Sequence, residues 1–196
     1  MAKASWLDIK PTSGSGDAII TLTPYLHTGR NDRTCDLEFS GSGTGTVTRK
    51  VIQKGIGEVL KNLEDVHIGA DGGKITISGT TNSKSLTFTG GEGVTVASSY
   101  KANSTTINNG ANIAGDPGAD YSFTFEIEVT VSPNNYLYQI TKGVGIRTAD
   151  GIEKAVGITQ AGDTAYLTVP VGDITLEHDT TSHSINISSN TTWTIE

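Results

Sequence analysis

Between Tyr121 and Val131 apolar and polar residues alternate without a break. Phe123, Phe125, Ile127, Val129 and Val131 fall on one side of an extended chain, and Thr124, Glu126, Glu128 and Thr130 on the other. A strand with one apolar face needs a second apolar layer over it, and a β-sandwich meets that requirement. The rest of the chain repeats this character at lower contrast. Its 196 residues include 24 glycines against 5 prolines, with 35% hydrophobic and 18% charged residues. Threonine, serine and asparagine take the places that helix formers would hold. This composition predicts an all-β fold of short strands and tight turns, and excludes a coiled coil or helix bundle.

Turn signals at intervals of about 8–12 residues divide the first fifty residues into four strands. These are the stretch around Trp6, Leu7 and Ile9; Ile19–Thr23; Thr34–Phe39, with Cys35, Leu37 and Phe39 on one face; and Val47–Gln53. Further on, Asp71-Gly72-Gly73 signals a hairpin, and Lys74–Ser78 and Ser85–Thr89 read as strands. Residues 90–120 read as hairpin and long loop. They end in a turn at Asp116-Pro117-Gly118, where proline presets φ and glycine tolerates a positive one. Tyr136–Ile140 and Val156–Gln160 complete this part. The one helix candidate is Gly57–Val66, from the spacing of Val59, Leu60, Leu63 and Val66.

Several function classes are disfavoured. A net charge of −7 argues against nucleic-acid binding through phosphates, which needs clustered Lys and Arg. No apolar run is long enough for a membrane-spanning helix, and Met1–Trp6 has no apolar stretch of the signal-peptide kind. The expectation is a protein made in a cytoplasm. A single cysteine, Cys35, forms no internal disulfide and, as a strand residue, is expected to be buried and inert. The Asn-x-Ser/Thr tripeptides at Asn103, Asn186 and Asn190 are most simply chance matches. The glycine runs at 14–16, 41–45 and 90–93 lack the βαβ setting and the Gly-Lys-Ser/Thr that phosphate binding requires. His178 and His183 flank Asp179 in a spacing that could hold a metal, but a Thr/Ser-rich turn favours solvated side chains. Glu126 and Glu128 lie on one face of one strand, unlike the opposed carboxyls of a glycosidase. No catalytic residue, metal site or cofactor is predicted.

Two strands resemble each other. Lys50-Val51-Ile52-Gln53-Lys54-Gly55 and Val156-Gly157-Ile158-Thr159-Gln160-Ala161-Gly162 both end in Gln-x-Gly. They divide the chain into a first piece of about 54 residues, a middle unit of about 107 and a last piece of 34. The first piece opens with Trp6-Leu7-Asp8-Ile9-Lys10-Pro11-Thr12-Ser13-Gly14-Ser15-Gly16-Asp17. With its strands and its Gln-x-Gly ending, it resembles the second half of a BACON-type immunoglobulin-like domain. The first half of such a domain resembles the other end of the chain. There Ile174-Thr175-Leu176 is followed by Ser184-Ile185-Asn186-Ile187-Ser188-Ser189-Asn190-Thr191-Thr192-Trp193-Thr194-Ile195.

The resemblance implies two immunoglobulin-like sandwiches. One, residues 56–162, is enlarged and divergent. The other is split between residues 1–55 and 163–196, either circularly permuted within one chain or exchanged between neighbouring chains. A tail of two or three strands cannot bury its own apolar face. Trp6, Leu7, Ile9, Ile174, Leu176, Ile185, Ile187, Trp193 and Ile195 are therefore expected to form a domain-closure or assembly seam. Charge agrees: residues 163–196 carry five acidic and no basic side chains, and residues 1–54 carry seven basic and five acidic.

BACON-type domains occur in surface and secreted proteins of gut bacteria and in virion proteins of their tailed phages. The resemblance thus implies a non-enzymatic virion protein, most simply an auxiliary capsid (decoration) protein. Its partner would be the major capsid or another virion protein, its place the virion surface, and self-association by strand exchange is open to it. A head-fibre or tail component is a second reading. The competing class is a carbohydrate- or mucin-binding module, for which Tyr25, Tyr100, Tyr136 and Tyr138 are the candidate stacking residues. Trp6 and Trp193 could also stack on sugar, though their motif positions suit the seam better.

Overall fold

In the computed structural model, which describes residues 4–170, 172–179 and 181–196, the alternating stretch forms the spine of an all-β protein. The strands in chain order are β1 (Leu7–Lys10), β2 (Thr21–Pro24), β3 (Arg33–Phe39), β4 (Val47–Gln53), β5 (Leu60–Lys61), β6 (Val66–Ile68), β7 (Gly73–Thr81) and β8 (Leu86–Gly90). They continue with β9 (Val94–Val96), β10 (Ser99–Ala102), β11 (Thr105–Asn108), β12 (Phe123–Val131), β13 (Ile140–Thr148), β14 (Glu153–Gln160), β15 (Leu167–Thr168) and β16 (Ser188–Ser189).

The middle unit is a sandwich of two sheets. One has the order β11-β10-β12-β7-β5, with β9 also on β12, and the other has β6-β14-β13-β8. β12 runs antiparallel to β7 from Phe123↔Thr81 to Val131↔Gly73. Its apolar positions are all buried and its polar ones all exposed, as the alternation requires. Phe125, Ile127 and Val129 share one core with Leu86, Phe88, Val144, Ile146, Val156 and Ile158 of the other sheet. Phe88 sits between Tyr100 and Phe125, with ring centroids 5.0 and 5.7 Å away. Gly79 makes room for this packing: a Cβ there would lie 2.7 Å from both Leu63 Cδ2 and Phe125 Cζ.

The two terminal pieces build separate small sheets. β1 pairs with β2 and β3 with β4 in the first piece, and β15 with β16 in the last. They attach to opposite ends of β12. Near its start, the Thr28 carbonyl accepts from Asn82 Nδ2 (3.1 Å) and from Ser122 Oγ (3.2 Å), while Arg30 and Asn31 N–H donate to Gly118 and Ala119 (both 2.9 Å). Beyond its end, Asn134 Nδ2 donates to Ala161 (2.8 Å) and Asp163 N–H to Tyr136 (2.8 Å). The eight residue steps between these ends span about 27 Å at ~3.4 Å per residue. Among the described residues, no strand of the first piece pairs with a strand of the last. The two segments are therefore not joined into one sheet within this chain.

Several local expectations are corrected. Gly57–Val66 is not helical. Leu60 pairs with Thr81 on the sheet edge, and Asn62, at φ 56°, ends that strand, so the apolar spacing serves two short strands instead. Asp71-Gly72-Gly73 turns the chain from one sheet to the other, because β6 and β7 belong to different layers. Residues 90–120 contain three strands, and Asn103 and Ser104, both at positive φ, make the tight turn between β10 and β11. Pro117–Ala119 forms a 3-10 turn, with the positive φ at Gly115 and Asp116 rather than at Gly118. Tyr136–Tyr138 lies outside any strand, and β13 starts at Ile140. Cys35 is half-buried rather than buried.

Candidate functional site: two junctions and an open half-sandwich

The polar residues at the two junctions of the chain repeat one another. At the first, Asn82 is fully buried and acts as a clasp. Its Oδ1 accepts from Val59 N–H (2.9 Å) and its Nδ2 donates to the Gly57 carbonyl (3.2 Å). Thr81 Oγ1 donates to the Val59 carbonyl (2.8 Å) and accepts from Ser83 N–H (3.0 Å). In the tail, Asn190 Oδ1 accepts from Tyr166 N–H (2.9 Å) and Nδ2 donates to the Thr164 carbonyl (3.0 Å). Ser189 Oγ donates to the Tyr166 carbonyl (3.0 Å) and accepts from Thr191 N–H (3.0 Å). The strand registers agree as well: Leu60 faces Thr81 as Leu167 faces Ser189.

The same holds upstream. Ile56 N–H donates to Gly29 as Asp163 N–H donates to Tyr136 (2.9 and 2.8 Å). Gly55 passes close to the Arg30 carbonyl as Gly162 passes close to that of Leu137, leaving no room for a Cβ at either. Gln53 Nε2 donates to Tyr25 (3.0 Å) where Gln160 Nε2 donates to Ser132 (3.0 Å). The contacts at the start of residues 163–196 thus repeat those at the start of residues 56–90, and the contacts at the end of the first piece repeat those at the end of the middle unit. The Gln-x-Gly repeat was visible in the sequence. The clasp was missed, although Thr81-Asn82-Ser83 and Ser189-Asn190-Thr191 carry its signal.

The junctions also differ: the third bond of Asn82 goes to the Thr28 carbonyl (3.1 Å), and that of Asn190 to Asp163 Oδ2 (3.1 Å). At the first, Arg30 Nε donates to the Asn82 carbonyl (2.7 Å), and its guanidinium also meets the Asp116 carboxylate. Leu137 holds the corresponding place at the second. There the flanking Tyr136 and Tyr138 stack on each other, with centroids 5.1 Å apart, 20° between planes and both rings exposed.

The expected seam residues divide between the terminal pieces. Leu7 is buried, and Trp6 and Ile9 are half-buried, with the Arg33 guanidinium 4.7 Å from the Trp6 ring centroid. In the tail, Ile174, Leu176, Ile185, Trp193 and Ile195 are exposed and Ile187 is half-buried. Between the two hairpins of the first piece runs an open groove of about 560 Å³, whose apolar lining includes Ile9, Ile20, Leu37 and Phe39.

Of the stacking candidates, Tyr25, Tyr136 and Tyr138 face solvent. Tyr100 does not: it is buried against Phe88, and its hydroxyl accepts from Leu86 N–H (3.2 Å). Burial raises its phenol above the ordinary value, against the opposing effect of that hydrogen bond. It cannot serve as a surface platform. His178, His183 and Asp179 belong to no metal-binding group, since none of three or more His, Cys, Asp or Glu exists among the described residues. Glu126 and Glu128 are exposed, and Glu128 pairs with Lys74 at 2.7 Å.

One carboxylate is buried without having been foreseen. Burial pushes Glu58 up, but the hydrogen bond from Asp150 N–H (2.8 Å), together with the polar groups of Thr148, Ser83 and Lys84 around the carboxylate, outweighs it and holds the group below its ordinary range. It braces the loop after β13 through Asp150.

No protein-family model and no curated protein sequence matches the chain. Similar solved structures include surface layer protein SbsC, domains 4–9, at 14% identity and TM-score 0.38 over 87% of this chain and 25% of that one. A GH5 xyloglucanase of Bacteroides ovatus is similar at 12% identity and TM-score 0.33, over 56% of this chain and 20% of the enzyme. A protein from Bacteroides thetaiotaomicron is similar at 17% identity and TM-score 0.27, over 53% and 80% of the two chains. This chain spans a quarter or less of the length of the first two.

Proposed function

We propose that the protein is a non-catalytic structural module that assembles on a particle surface, and that it serves as an auxiliary capsid protein bound to the major capsid protein of a tailed phage. The observation that carries the structural part is the pair of terminal pieces, which expose apolar side chains, Leu22 and Phe39 in the first and Ile174, Leu176 and Trp193 in the last, on either side of a well-packed core. Exposed faces and edges of this kind suit docking on other chains. The capsid assignment comes from the BACON-type resemblance. The acidic balance of the chain suits a particle exterior that must stay dispersed.

The experiment is co-sedimentation of the purified protein with capsids lacking it, followed by heating. Saturable binding and a higher disruption temperature are expected. Failure to bind capsids while binding isolated fibres or tails would move the assignment to a head-fibre or tail component. A glycan-binding reading is favoured by the exposed rings of Tyr136 and Tyr138, which are already stacked on each other at the surface. Mucin or oligosaccharide binding that is lost in Tyr136→Ala would establish that reading in place of the first.

A further inference from the structure

We infer that residues 163–196 of one copy complete the 1–55 half-sandwich of the next, so that copies join head to tail through a shared domain. This goes beyond the capsid reading and does not depend on it. The partner is a second copy of this chain because the repeat supplies both halves of one unit.

The matching clasps and junctions fix which residues correspond. In the middle unit, Ile77 on β7 faces Ile127 on β12, and both are buried, at 2% and 1% exposure. Counting from the clasp and from the Gln53 contact, their counterparts are Ile185 and Ile20, which are 45% and 37% exposed. Phe88 on β8 faces Ile146 on β13, again both buried. The tail has one residue fewer between the clasp and its next alternation, Thr191-Thr192 against Ser83-Lys84-Ser85, so Trp193 and Ile195 stand for Leu86 and Phe88. The counterparts of Phe88 and Ile146 are then Ile195 and Phe39, which are 80% and 41% exposed. β6 runs parallel to β14, with Val66 beside Ile158 and Ile68 beside Gln160. The corresponding parallel pairs are Ile174 with Val51 and Leu176 with Gln53. Positions that are core in the complete unit are bare in the two halves, and each half lacks the strands that the other carries.

Gln53 shows the same deficit in hydrogen bonds. Gln160 Nε2 donates to Ser132 and also to Ala70 in the turn after β6 (2.9 Å). Gln53 has the first bond, to Tyr25. The carbonyl corresponding to Ala70 is that of His178, in the tail.

Self-closure would require one chain to bring both halves to the same place. The junctions instead hold them at opposite ends of β12, and the second junction repeats the asparagine clasp and the backbone bond from Ile56 to Gly29 of the first. Repeating a junction carries the chain onward along the array rather than back to its beginning. Charge favours the union of unlike halves, since the tail carries five acidic and no basic side chains and residues 1–54 carry seven basic and five acidic. Such an interface is heterologous, so the product is a ring or an open filament. Its chemistry is strand addition, with backbone pairing for affinity and the apolar side chains of Ile9, Ile20, Leu37 and Phe39, set in a groove of mixed polarity, for specificity.

The test uses the full chain with Cys35→Ser. Ser78 and Glu126 are partners across β7 and β12 on the outward face, so Asn186 and Ile19 correspond to them. The variant carrying both Ile19→Cys and Asn186→Cys is oxidised under dilute air. A ladder of two, three and more chains on a non-reducing gel is expected, and mixing the two single-cysteine variants should give a two-chain band stronger than either alone. A covalently closed single chain overturns the inference in favour of self-closure. Light scattering on the unaltered chain provides a second measurement: mass should rise with concentration in steps of one chain, and Ile185→Asp should raise the concentration needed at least tenfold. A mass that stays at one chain at every concentration also overturns it.

Discussion

Replacing Asn82 by alanine tests whether the clasp, rather than the apolar core alone, holds the first piece to the middle unit. The side chain is fully buried and makes three hydrogen bonds, with Val59 N–H, the Gly57 carbonyl and the Thr28 carbonyl. Each is worth about 1 kcal/mol net, and the stranded Val59 N–H adds to the loss because it is left without a partner. A loss of about 3–4 kcal/mol follows. For a cooperative unit of about 100 residues, 1 kcal/mol moves the midpoint by roughly 4–8 °C, so Tm should fall by roughly 12–32 °C. Differential scanning calorimetry measures this directly. Asn190→Ala is the internal control: it removes the two matching clasp bonds and one to Asp163 Oδ2 (3.1 Å) at a half-exposed site where water replaces them, and should cost less than about 1 kcal/mol. A loss below about 1 kcal/mol for Asn82→Ala would refute the reasoning. Equal losses at the two sites would refute the role given to burial.

Glu58→Gln should flatten the acid limb of the stability curve. The folded group lies below its ordinary value of 4.5, so its contribution is present above about that pH and is lost as pH falls through the lower folded value. Urea midpoints of wild type and variant should differ near neutral pH and converge in acid. Gly79→Ala should cost about 1–3 kcal/mol by overpacking against Leu63 and Phe125. Adding Leu63→Ala should recover part of it, which a double-mutant cycle in urea would read as non-additivity. Tyr100→Phe should cost about 1 kcal/mol, the net worth of the bond from Leu86 N–H. In wild type, spectrophotometric titration should show one tyrosine ionising above 10, with stability falling as pH rises through that range.

The strands with the strongest alternation were legible in the sequence because burial on one face leaves a period-two record. Tyr121–Val131 matches β12 in this way; Val47–Gln53 matches β4 as well, but through the turn signals around it, since β4 buries no face. Where a segment serves edge pairing, that record fails. Val59, Leu60, Leu63 and Val66 fall at helical spacing because β5 and β6 are only two and three residues long, too short to show an alternation. The hairpin signal at Asp71-Gly72-Gly73 identified a turn and could not say which sheets it joined, because local chemistry sets φ and tertiary packing sets the partner. Among the candidate residues, Tyr100 looked the same as Tyr136 in sequence. Only the packing of Phe88 against it separates a core ring from a surface one.

The junctions explain why half a sandwich can wait for its other half. A strand pair of two residues a side, such as β15 with β16, is too short to persist on backbone pairing alone. Here Ser189 and Asn190 spend their polar groups on Tyr166 and Thr164, so the register of the pair is set before any apolar face is covered. Gln53 does the same for the first piece, accepting from Arg33 Nε (2.9 Å) and donating to Tyr25. Ordering these segments in advance lowers the conformational cost of joining them, which falls on the association step when a segment is disordered until bound. The polar clasp and the exposed apolar face therefore play complementary parts: the first fixes geometry in the single chain, and the second supplies the driving force once a complementary half arrives.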